Sequence, residues 1–113
     1  MKLIFVYNAD SGLANALLDI GHKIVNPDTY SCNLCKLTFD TFKESAKWKE
    51  FRESSSHVME FLHKDEFEEK YGTQFEYPVI LKEEDGILKE AISKEVLDSF
   101  KSLDELVETV SKL

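Results

Sequence analysis

Leu3-Ile4-Phe5-Val6-Tyr7 is an unbroken run of five apolar residues, β-branched and aromatic ones among them, closed by Asn8-Ala9-Asp10. A run without polar alternation has no face to give to water, so it predicts a buried strand of the parallel kind over residues 2–7. From residue 12 to about 24, Leu13, Ala16, Leu17, Ile20 and Ile24 recur at three- and four-residue steps. That spacing makes one apolar helical face, with Asp10 or Ser11 placed to cap it. Asn26-Pro27-Asp28 reads as a turn, because Pro27 fixes its own φ and drives Asn26 out of the helical region.

The second half of the chain continues the α/β pattern. Phe39, Phe42, Ala46 and Phe51, with Trp48 beside them, form an approximately helical stripe up to Arg52, and Ser54-Ser55-Ser56 ends it. Residues 58–62 predict a second strand, followed by a short helix over 65–71 with Asp65 as its cap and Gly72 at its close. Tyr77-Pro78-Val79-Ile80-Leu81 and Ile87-Leu88-Lys89-Glu90-Ala91 flank Glu83-Glu84-Asp85-Gly86, the pattern of an antiparallel hairpin around an Asp-Gly turn. Ser93 opens another helical segment through Phe100. Ser102-Leu103-Asp104-Glu105 has capping-box spacing for a last helix, whose Leu103, Leu106, Val107 and Val110 face inward.

Composition narrows the classes of function. At 113 residues and 42% hydrophobic content the chain is expected to form a single domain over 1–113, burying roughly two-thirds of its unfolded surface. A net charge of -8 opposes nucleic acid and anionic lipid surfaces as partners. The opening apolar run is too short for a secretory core, and no stretch approaches the length of a membrane span, so a cytoplasmic protein is expected. With four glycines in all and no Gly-Lys-Ser/Thr, a P-loop nucleotide site is excluded.

The order of elements resembles the thioredoxin-like fold: a parallel pair of strands, an antiparallel hairpin completing a mixed four-stranded sheet, and a terminal helix packed back on it. Tyr77-Pro78-Val79-Ile80-Leu81 through Asp85-Gly86 is similar to the segment where thioredoxins and glutaredoxins carry a cis-proline entering the hairpin, which makes Pro78 the cis-proline by resemblance. In that family a Cys-x-x-Cys follows the first strand directly. Here Asn8-Ala9-Asp10-Ser11-Gly12 holds that place, and the chain has an extra helical segment after its own cysteines.

Those cysteines are Cys32 and Cys35, the only two in the chain, in Ser31-Cys32-Asn33-Leu34-Cys35-Lys36. Three readings of them stand side by side. As a redox or thiol-relay pair, they sit just ahead of a helix beginning near Thr38, whose amide hydrogens favour a thiolate, and exchange with a protein or small-molecule thiol without any cofactor. As zinc ligands they need two more donors from His22, His57, His63 or Asp28, with His22 as the first choice. As inert residues they belong to an interaction module whose partner binds near Asp10 and Tyr77. A structural disulfide is not expected in the cytosol. A helix over 12–24 is about 20 Å long, and residues 25–31 can span about 23 Å. If the chain returns along that helix, the cysteines meet Asn8, Asp10, Ser11 and Pro78, at the carboxyl end of the first strand where α/β sheets bind ligands; if it does not, they lie near His22. Tyr7 and Tyr77 are candidate pocket walls. Glu66, Glu68 and Glu69 are expected to form a solvated helix face.

Overall fold

The computed structural model describes residues 2–8, 32–38 and 44–113. The expected helix over 12–24, the turn at 26–28, Asp10, Ser11, His22, Phe39 and Phe42 lie outside the described residues. Strand β1 is Lys2–Tyr7, β2 is Val58–His63, β3 is Val79–Glu84 and β4 is Ile87–Ile92. They form a mixed four-stranded sheet in the order β2-β1-β3-β4. β1 runs parallel to β2 and antiparallel to β3, which pairs antiparallel with β4. Described helices are α1 (Asn33–Thr38), α2 (Ala46–Ser54), α3 (Lys64–Tyr71), α4 (Lys94–Ser99) and α5 (Leu103–Ser111).

The apolar opening run becomes the central strand because both of its faces are covered. Leu3, Phe5 and Tyr7 point into one core with Cys32, Leu34, Cys35, Trp48, Leu97, Leu106 and Val110, so α1, α2, α4 and α5 pack on that side. Ile4 and Val6, one step out of phase, point to a second core with Phe67, Tyr77, Val79 and Leu81, beneath α3. Phe5 is the hub of the first core: its ring stacks on Phe61 at 4.8 Å and meets Trp48 edge-on at 5.6 Å. On the second side Glu60 accepts from the Tyr71 hydroxyl at 2.7 Å and pairs with Lys2 at 2.9 Å and with Lys70. Burial opposes its charge, but the bonds from Lys70, Lys2 and Tyr71 win and hold the carboxyl at about 2.

The hairpin turn is Asp85-Gly86, with φ of 54° and 78° at the two residues. Both lie in the left-handed region that a two-residue turn of this hand requires, which is why the strands run right up to it on both sides. Gly72 closes α3 in the same left-handed region, at φ 67°.

Local capping departs from expectation in two places, and one helix charge has a partner from another element. β2 runs straight into α3 without a loop, so His63, not Asp65, holds the N-cap position in extended conformation. The Glu66 carboxylate accepts from the His63 backbone N–H at 2.9 Å and lies 2.7 Å from its Nδ1. Glu68 is not a solvated charge: it accepts from the Tyr77 hydroxyl at 2.8 Å, tying α3 to the entrance of β3. At α5, Ser102 caps as expected by accepting from the Glu105 N–H, while the Glu105 carboxylate reaches the N–H of Lys101 instead of that of Ser102. The helix expected up to Arg52 spans Ala46–Ser54, and 39–43 lie outside the described residues.

Candidate functional site

The cysteines do not precede a helix starting near Thr38; they open one that ends there. Cys32 is the residue before α1, and its carbonyl accepts the first helical bond from Lys36 N–H at 3.0 Å. Cys35 lies one turn on, with Cα atoms 5.3 Å apart, and the two sulfurs are joined in a disulfide. The pair expected to act in redox or thiol relay stands closed as a ring. Its formation follows from the local backbone: one helical turn places residues i and i+3 on the same face, within disulfide reach.

Cys32 Sγ also accepts two backbone N–H groups, from Cys35 at 3.3 Å and from Asn8 at 3.4 Å. The second contact locates the pair, because Asn8 directly follows β1. Cys32 is fully buried and Cys35 keeps 8% of its surface. Asn33, between them, donates both amide hydrogens to carbonyls at the end of α4, Leu97 at 2.5 Å and Phe100 at 3.0 Å. Thr38 finishes α1 by donating to the Leu34 carbonyl at 2.7 Å, and it shares a hydrogen bond with the Tyr7 hydroxyl. Burial pushes the Tyr7 phenol well above its ordinary range, so it stays neutral.

Pro78 stands at the same end of the sheet. Val79 pairs with Val6 across the antiparallel β1–β3 ladder, so the residue before Val79 is level with the carboxyl end of β1. The Tyr77–Pro78 peptide bond is cis. The structure thus brings Cys32, Cys35, Asn8 and Pro78 to one end of the molecule. Tyr77 belongs elsewhere: its side chain is buried in the core beneath α3, on the other face of the sheet from the sulfurs. Burial first, then the bond to Glu68, raises its phenol to about 12.

Beside this end lies a cleft of about 560 Å³ lined by Tyr7, Glu44, Arg52, Phe61, His63 and Glu66 among others. Arg52 is held by a two-point ion pair to Glu44, both contacts at 2.7 Å, and its guanidinium lies 5.8 Å from the centre of the Phe61 ring. Neither contact was legible beforehand; the Arg52–Glu44 pair is eight residues apart, too far for a helical rule to have flagged it.

Bonded sulfurs offer no thiolates to a metal. Among the described residues no group of three or more His, Cys, Asp and Glu is placed to hold an ion, and His22 and Asp28 lie outside them. Among the described residues no helix is long and apolar enough to cross a membrane. Fold and site together define an α/β domain with a mixed four-stranded sheet and a Cys-x-x-Cys disulfide at the carboxyl end of its central strand. No protein-family model, curated protein or solved structure matches the chain.

Proposed function

We propose that this protein is a small thioredoxin-like thiol–disulfide exchange protein of the cytoplasm, in which Cys32 and Cys35 cycle between a disulfide and two thiols. The observation that carries this reading is the disulfide itself, seated at the carboxyl end of β1 with two backbone N–H groups on one of its sulfurs. The sheet order and the cis Tyr77–Pro78 bond entering β3 support the thioredoxin-like assignment. Disulfides in a reducing compartment are usually transient and catalytic or redox-sensing, so a ring of this size in a cytoplasmic protein serves exchange better than fold stability. N–H donors to a sulfur stabilise its thiolate and so favour both its departure from a disulfide and its formation on reduction. The exchange needs no metal or organic cofactor. The partner is a thiol.

The test is catalysis of exchange between dithiothreitol and a small aromatic disulfide. Wild type is expected to raise the rate above buffer, and Cys32→Ser and Cys35→Ser each to abolish the gain. A wild-type rate equal to buffer, or variants as active as wild type, overturns the reading.

A further inference from the structure

The last carbonyls of a helix have no N–H partner further along it, and α4 ends at Ser99. Two carbonyls at that end are met from another element. The Asn33 side-chain amide donates one hydrogen to Leu97, which also takes the Phe100 N–H at 3.3 Å, and the other to Phe100. A carboxamide has two N–H donors, and both are used. They tie the residue directly after Cys32, inside the ring that Cys35 closes, to a helix 64 and 67 residues away in sequence. The Asn8 contact to Cys32 ends on a sulfur, whose bonding changes when the pair is reduced. The Asn33 contacts end on carbonyl oxygens, whose bonding does not.

That difference decides what holds the turn once the disulfide opens. In the oxidised protein the ring itself restrains the chain between the cysteines. In the reduced protein a restraint independent of sulfur keeps the two thiols together, and the more firmly they are held the higher the effective concentration of one at the other. Such a restraint removes freedom from the reduced state that the oxidised state has already lost, so it favours the disulfide.

Resting on the exchange reading above, we propose that Asn33 is a positioning residue for the Cys32–Cys35 pair: tied to the end of α4, it holds the two thiols in place to re-form their bond and so sets how readily the disulfide is reduced. With dithiothreitol as reductant, two electrons and two protons pass from the dithiol to Cys32 and Cys35, the protein S–S bond breaks, and the dithiothreitol sulfurs close into a ring. Oxidation reverses each of these changes. Asn33 neither gives nor takes a proton; it fixes the backbone that carries both sulfurs.

The test compares the equilibrium of wild type and variants with graded ratios of reduced to oxidised dithiothreitol, read as the fraction of protein disulfide. Asn33→Ala is expected to be reduced about tenfold more readily than wild type, a shift of ~30 mV for a two-electron couple. Asn33→Ser, which keeps one donor where Asn has two, is expected to shift the same way by less, and it carries the test where Asn33→Ala does not fold. Gly86→Ala is the control: it strains the hairpin at the opposite end of the sheet, and its equilibrium is expected to stay within about twofold of wild type. No shift in the folded Asn33 variants, or a shift toward harder reduction, overturns the assignment and leaves the exchange reading standing. An equal shift in Gly86→Ala also overturns it, since the change would then follow overall stability. A wild-type pair with no reversible transition overturns this proposal and the exchange reading together.

Discussion

The backbone N–H of Asn8 donates to the sulfur of Cys32 at 3.4 Å, across 24 residues of sequence. That one bond fixes the disulfide-bearing turn to the carboxyl end of the central strand. It also gives the buried sulfur a polar partner where water does not reach, which is the condition under which a buried group that takes up charge avoids a large desolvation cost.

Asn33 is the matching anchor on the other side of the pair. Asn33→Ala leaves the Leu97 and Phe100 carbonyls without that donor and unties α1 from α4. The expected loss is about 1–3 kcal/mol in chemical denaturation, together with faster alkylation of Cys35 in the reduced protein. Stability within about 0.5 kcal/mol of wild type, the range of ordinary surface changes, would show that the anchor is unimportant.

Glu60 predicts a pH dependence with a definite sign. Its folded carboxyl is held at about 2 against an ordinary 4.5, so its contribution is complete above about 4.5, declines as pH falls through that interval, and is gone below about 2. With the side chain 18% exposed and the Lys70 partner half-exposed, the contribution is roughly 2 kcal/mol. Glu60→Gln is therefore expected to be less stable than wild type by that amount at pH 7, and the gap to close in denaturation curves recorded toward pH 2. A gap independent of pH contradicts the assignment.

Trp48 separates volume from polarity in the first core. Its indole is fully buried and, among the described residues, the ring N–H has no hydrogen-bond partner. Trp48→Ala is expected to cost about 3–5 kcal/mol by leaving a cavity beside Phe5. Trp48→Phe, which removes the unpartnered N–H along with less volume, is expected to cost less than about half as much. Equal losses for the two would mean the N–H is satisfied after all.

Gly86 tests the hairpin turn without disturbing any neighbour. A Cβ added there meets nothing within 4 Å, so the cost of Gly86→Ala is the left-handed backbone alone. About 1–2 kcal/mol is expected from thermal or chemical unfolding, with Gly86→Asn recovering part of it because Asn tolerates that region. Ala equal to Gly would mean the turn changes its hand on substitution.

The strands were readable in the sequence because each rests on a short-range rule: the unbroken run of β1, and the Asp85-Gly86 turn that dictates the hairpin. Leu106 and Val110, spaced one turn apart, likewise announce the buried face of α5, and both are buried. What stayed hidden was tertiary. His63 is a poor residue to nominate as a cap, and it holds that position only because β2 leads into α3 directly. Glu68 and Glu60 look like surface charges until Tyr77, Tyr71 and Lys2 arrive from other elements. The position of the thiols along the sheet depended on where the chain between β1 and Cys32 returns, which no local pattern encodes; the Asn8–Cys32 contact reports the outcome.

The most direct test of the account is a redox titration of the Cys32–Cys35 pair. The protein is equilibrated in buffers of graded reduced-to-oxidised dithiothreitol ratio, the thiols are trapped by alkylation in acid, and the two states are counted by mass. A single reversible two-electron transition, with circular dichroism unchanged across it, is the predicted result. A pair that remains two thiols in fully oxidising buffer, or a disulfide whose reduction unfolds the domain, contradicts it.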